Sequence, residues 1–153
     1  MTTRNASPYI RTFTGLKFTP LTPDPAQIRI EDIAHALARL NRYSAGYAPH
    51  ITVAEHCVLV SRKVPKKDAL WGLMHDACEA YLFDFPIPFV NPTQFEKCYR
   101  EHEALLMSAI CERFGLPAKC PSSIDNACKA QLEASKSPDP ELEFLNRFLE
   151  VSA

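Results

Sequence analysis

Apolar residues recur at helical spacing along most of this chain. Ile33, Ala34, Leu37 and Leu40 mark an amphipathic helix from Ile30 to about Asn41, whose first turn carries Glu31 and Asp32 beside the positive end of the helix dipole. Thr52-Val53-Ala54-Glu55 has the spacing of a capping box, in which the threonine hydroxyl and the glutamate each satisfy an orphan backbone amide. It predicts a second helix from Val53 to about Val64, stopped by Pro65. Leu70, Leu73, Met74, Ala77, Cys78, Tyr81 and Leu82 then predict one continuous central helix from Lys67 to Leu82, closed by Asp84-Phe85-Pro86-Ile87-Pro88. The longest periodic run, Phe95 to Phe114, closes at Gly115-Leu116-Pro117. Ser122 and Ser123 can cap a further helix carrying Asp125, and Ser137-Pro138-Asp139-Pro140 leads into a last one with Leu142, Leu145, Phe148 and Leu149.

Only residues 1–30 break this pattern. Pro8, Pro20, Pro23 and Pro25 rule out a long helix there, so the segment is expected as an extended arm lying over a bundle formed by residues 31–153. The expected class is all-α, an irregular bundle of about six helices in a single domain. A chain of 153 residues can bury a core that needs no staples. Its net charge of −1, with acidic and basic residues intermixed, argues against a nucleic-acid polymer or a polybasic membrane surface as partner. No apolar run reaches the length of a membrane span, and the first residues, MTTRNASPYI, lack the apolar stretch of a signal peptide. A cytoplasmic protein is expected, or one of the host cytoplasm if phage-encoded. The six cysteines are scattered with no C-x-x-C pair and read as reduced core thiols.

Polar chemistry changes this picture at the central helix. His75, Asp76 and Glu79 interrupt its apolar pattern and Asp84 follows its end. An ionisable group on such a helix must be paired, bound to metal or solvated in a cleft, since burial alone costs several kcal/mol. With His56 on the preceding helix and Asp125 on a later one, His75 and Asp76 form a set of two imidazoles and two carboxylates. That donor set suits Mn, Fe, Co, Ni or Zn, with no thiolate involved. The plain alternatives stand beside it. A histidine on an apolar face is commonly a hydrogen-bonded core residue, Glu79 can be a helix-surface carboxylate, Asp84 a turn residue, and Arg42 a partner for Glu31 or Glu55. His35 and His102 read as structural, and Trp71 as core.

His56, then His75-Asp76, then Asp125 resembles the H…HD…D signature of the HD-domain metal-dependent phosphohydrolases. The similarity extends through Ile30-Glu31-Asp32-Ile33-Ala34-His35, Asn41-Arg42-Tyr43, the capping-box helix, His75-Asp76-Ala77-Cys78-Glu79-Ala80-Tyr81 and Asp84-Phe85-Pro86-Ile87-Pro88. It is nearest to the small bacterial and phage members, related to 5′-deoxynucleotidases and compact dNTP (dATP) triphosphohydrolases. The resemblance implies an HD-domain fold and His56, His75, Asp76 and Asp125 as ligands of a divalent transition metal, Zn, Mn or Co, with Fe or Ni also admitted. It implies Glu79 and Asp84 as catalytic carboxylates and Arg42 as a phosphate contact. Such a metal lowers the pKa of water and polarises a phosphoryl oxygen, a carboxylate moves the proton, and a guanidinium forks onto phosphate. Lys17 stands where relatives often carry a glycine-arginine pair, and Ile87 could line a base pocket if the arm folds over the site. The implied activity is release of a deoxynucleoside plus phosphate or triphosphate, in a homo-oligomer, dimer or larger. The alternative is a metal- and nucleotide-binding helical module without turnover.

Overall fold

The computed structural model describes residues 8–42, 50–84, 94–129 and 137–153. They form an all-α bundle of about six helices with one small hairpin. Residues 8–30 hold that hairpin, in which β1 (Ile10–Arg11) pairs antiparallel with β2 (Lys17–Phe18), Ile10 opposite Phe18. Gly15 supplies the positive φ of 86° that the turn needs. Asp32 fastens the hairpin to the bundle, its two carboxylate oxygens accepting from the Thr14 amide at 2.7 Å and the Thr14 hydroxyl at 2.9 Å. Phe18 is fully buried, its ring 4.4 Å from that of Tyr81.

The first helix, α1 (Ile30–Leu37), begins where the apolar spacing begins, and stops a turn short of the expected Asn41. Residues 40–42 turn instead to pair with residues 51–53. The Arg42 amide donates to the Ile51 carbonyl, the Val53 amide to the Leu40 carbonyl, both at 2.9 Å, and Asn41 bridges Thr52. This bridge carries Arg42 to the start of α2 (Val53–Lys63). The capping box at that start is complete: the Glu55 amide donates to Thr52 Oγ1 at 3.2 Å and the Thr52 amide to Glu55 Oε2 at 2.8 Å. Eight of the eleven residues of α2 are buried, because α3 packs on one side and the last helix on another.

The central helix is not continuous. A 3-10 turn (Lys66–Asp68) leads into α3 (Ala69–Met74), residues 75–78 form a tight turn, and a single turn, α4 (Glu79–Leu82), follows. His75 causes the break: its Nδ1 lies 2.7 Å from the Gly72 carbonyl and occupies the acceptor that the next helical amide would use. The following amides reach back only three residues, Ala77 to Met74 and Glu79 to Asp76, both at 3.0 Å. Phe83 then ends α4 with a positive φ of 66°, rare for a side-chain-bearing residue.

The α2–α3 contact is close enough to depend on a missing side chain. A Cβ at Gly72 would stand 3.0 Å from the Ser61 Cα and 3.1 Å from Val64 Cγ2. Ser61 is itself clamped, donating to the Ala69 carbonyl at 2.8 Å and accepting from Arg147 Nε at 3.0 Å. The long helix α5 (Gln94–Phe114) ends in a Schellman motif at Gly115, with the Leu116 amide reaching the Cys111 carbonyl at 2.9 Å. Helix α6 (Ser122–Lys129) follows, and α7 (Pro140–Val151), capped by Asp139, packs across α1, α2 and α3 with Phe144 fully buried. Among the described residues no helix is long and apolar enough to cross a membrane.

Candidate metal centre

The histidines of α2 and of the turn after α3 meet because Gly72 lets these helices approach. His56 is 3% exposed. Its Nε2 lies 3.2 Å from His75 Nε2 and 3.7 Å from Asp76 Oδ2, and His75 Nε2 is 3.1 Å from the same oxygen. The Gly72 carbonyl holds the other nitrogen of His75, which fixes its ring and aims Nε2 at His56, as a second partner does for a ligating imidazole. Arg42 Nη1 stands 3.3 Å from Asp76 Oδ2 with its side chain largely buried.

Charge is distributed sharply across this cluster. Burial, with Arg42 and His75 nearby, drives His56 down to about 3, so its ring is neutral. Burial also opposes a charge on His75, but Asp76 and Cys57 outweigh it and raise His75 well above its ordinary value. Asp76 is pulled down to about 2 by His75, His56 and Arg42 against the effect of burial. His75 thus favours its protonated form and Asp76 its ionised form, each stabilising the other at 3.1 Å. Burial first, then Asp76 and Asp84, push Glu79 up to about 9, so it is a neutral acid at pH 7. Its Oε2 is buried with no hydrogen-bond partner among the described residues.

His75 and Asp76 open into a cavity of about 530 Å³ whose walls include Asp125, Cys128, Arg100 and Glu103. Two groups of side chains here can hold a metal ion, each with ligand atoms within 4.8 Å of one another: His56, His75 and Cys128, and Cys57, His75 and Asp76. The donor set fits a divalent transition metal, and it is softer than the all-nitrogen-and-oxygen set expected. Cys57 and Cys128 belong to the cysteines expected as reduced core thiols. Cys57 is fully buried, where burial pushes its thiol up to about 11, whereas Cys128 is half-buried on the cavity wall.

The other expected site residues are placed as follows. Asp125 lines the cavity but is exposed on α6 and belongs to neither ligand group. Asp84 is half-buried beyond Phe83, and its charge acts on Glu79. Lys17 lies on the exposed face of β2, over the Tyr9 ring at 5.0 Å, and takes no part in the described cavity. Ile87 lies outside the described residues. His35 stacks on Phe13 at 3.7 Å, His102 Nδ1 is 2.7 Å from the Cys98 carbonyl, and Trp71 is buried with its Nε1 donating to the Pro117 carbonyl. Arg100, absent from the sequence reading, adds a guanidinium to the cavity wall, paired with Glu103 at 2.8 Å.

No family model matches this chain. It is 36% identical over 109 residues to the uncharacterized protein YfdR of Escherichia coli K12, covering 71% of this chain and 60% of that protein. It is 38% identical over 131 residues to the uncharacterized protein RCAP_rcc00048 of Rhodobacter capsulatus, covering 78% of this chain and 65% of that one. The chain thus spans less than two thirds of the length of these relatives.

Proposed function

We propose that this chain is an HD-domain metal-dependent phosphohydrolase that cleaves deoxynucleotides at the 5′ position, releasing a deoxynucleoside plus phosphate or triphosphate. The observation that carries the proposal is the close grouping of His56, His75 and Asp76, the last two opening into the cavity, with a buried Glu79 whose proton affinity is raised and Arg42 at 3.3 Å from Asp76. His56 and His75, through Nε2, and Asp76, through a carboxylate oxygen, would hold a Zn, Mn or Co ion, with Fe and Ni within the same donor preference. The ion, when bound, lowers the pKa of water and polarises a phosphoryl oxygen.

The chain's own groups account for the remaining chemistry. Arg42, beside Asp76, and Arg100, on the cavity wall, would offer planar donors to phosphate oxygens. Water attacks phosphorus and the bond to the 5′ oxygen breaks; Glu79, whose affinity for a proton burial raises in the metal-free site, is the group to give a proton to that leaving oxygen and to regain one from the attacking water. Burial first, then the charges of Asp76 and Asp84, favour the protonated form of Glu79.

The test is incubation of the purified protein with each dNMP and dNTP in the presence of Mn, Co or Zn, with phosphate and triphosphate measured separately. Phosphate from a dNMP identifies a nucleotidase, and triphosphate from a dNTP a triphosphohydrolase. No hydrolysis under any of these conditions refutes the proposal. Asp76→Ala should lose the metal, whereas Glu79→Ala should keep it and lose turnover; a Glu79→Ala protein as active as wild type removes Glu79 from the catalytic role, and a wild type that binds metal without hydrolysing any nucleotide assigns the site to binding without catalysis.

A further inference from the structure

We propose that Cys128, and not Asp125, is the ligand that α6 contributes to this centre, which makes it a mixed imidazole, carboxylate and thiolate site. The inference rests on the metal centre described above. Its geometric basis is that the ligand atoms of His56, His75 and Cys128 lie within 4.8 Å of one another, a grouping Asp125 does not join.

The rotation of α6 about its own axis decides between the two residues. Ile124 and Ala127 are the buried positions of this helix, packed in a small core cluster with Trp71 and Cys111. Cys128 follows Ile124 by four residues and shares its inward stripe, whereas Asp125 is turned about 100° from Ile124 and is exposed. That phase is pinned at the start of α6, where the Ser123 hydroxyl donates to Asp68 Oδ2 at 2.7 Å. Asp125 borders the same cavity from its exposed position, and a turn of α6 that carried it onto the histidines would unbury Ile124 and strain this bond. Cys57 is the other thiol near His75, but it is fully buried in the main core and lies off the cavity wall that carries Cys128.

A thiolate ligand has chemical consequences. Metal entry displaces the thiol proton to solvent, and the softer sulfur favours Zn and Co over Mn and Mg. Cobalt reports directly on the question, since a thiolate bound to Co(II) gives an intense near-ultraviolet charge-transfer absorption that nitrogen and oxygen ligands lack. The experiment is Co(II) titration of the chelator-stripped full chain and of Cys128→Ser, Cys128→Asp, Cys57→Ala and Asp125→Asn, with cobalt content measured and folding checked by circular dichroism. Wild type, Cys57→Ala and Asp125→Asn should show the band. Cys128→Ser should lose it and bind at least about tenfold more weakly, the size of loss seen even for outer-sphere partners. Cys128→Asp should lose the band yet recover bound cobalt, which separates ligand loss from misfolding. Cobalt bound to wild type without the band, a band that survives in Cys128→Ser, or one lost only in Cys57→Ala overturns the inference while leaving the metal centre standing. Failure of wild type to bind cobalt, zinc or manganese at all overturns the centre itself.

Discussion

Replacing Gly72 by alanine sets two effects of opposite sign against each other. Within a helix, glycine is less favourable than alanine by about 1 kcal/mol, so propensity alone predicts a more stable protein. The new Cβ, however, would stand 3.0 Å from the Ser61 Cα, 3.2 Å from the Ser61 nitrogen and 3.1 Å from Val64 Cγ2. Comfortable carbon contacts lie at about 3.5–4.0 Å, so α2 must recede by roughly half an ångström. Two of those three atoms are backbone, and Ser61 is held by the Ala69 carbonyl and by two bonds from Arg147, Nε to Oγ and Nη2 to the carbonyl, at 3.0 Å each. Overpacking of this kind costs about 1–3 kcal/mol, which exceeds the propensity gain. A net loss of about 1 kcal/mol is expected, which lowers Tm by about 2–4 °C in a chain of 153 residues. Because the same contact brings His75 to His56, metal affinity should fall with it. Thermal melts of the chelator-treated protein measure the first effect and cobalt or zinc titration the second. A Gly72→Ala protein that melts higher than wild type and binds metal equally well refutes the argument that this close approach builds the site.

Three further outcomes follow from the site. In chelator, Glu79→Gln should flatten the fall of stability with rising pH: an acid near 9 in the folded state and 4.5 unfolded holds its proton only when folded, so stability is lost between these values at up to about 1.4 kcal/mol per pH unit. Urea unfolding at pH 5, 7 and 9 checks the slope, and an unchanged slope contradicts the assignment. Metal affinity should rise with pH above 6.5, since His75 must release its raised proton to ligate; isothermal titration in buffers of different ionisation enthalpy should detect that proton. Arg42→Ala should raise KM for the nucleotide by roughly tenfold to a hundredfold through loss of about 1.5–3 kcal/mol of charged hydrogen bonding, and steady-state kinetics showing an unchanged KM removes Arg42 from the phosphate site.

The chain's local signals were legible wherever the controlling interaction is local. The capping box at Thr52 and Glu55 marks the start of α2 to the residue, and Gly115 marks the end of α5, because each depends on groups within one turn. Apolar periodicity likewise determined the all-α class, and the ionisable groups on an apolar face singled out His75, Asp76 and Glu79. The phase of α6 is legible too, since Ile124, Ala127 and Cys128 form one stripe and Asp125 falls outside it. Only tertiary structure decided what depends on distant partners. The break of the central helix arises because His75 takes the Gly72 carbonyl while its other nitrogen is drawn toward Asp76 and His56, a balance that periodicity does not encode. The proton affinities of His56 and Glu79 arise from burial and from charges on other elements, and a linear pattern of residues contains neither. The sequence by itself determined which groups were unusual; the approach of α2 to α3 at Gly72 decided which of them meet.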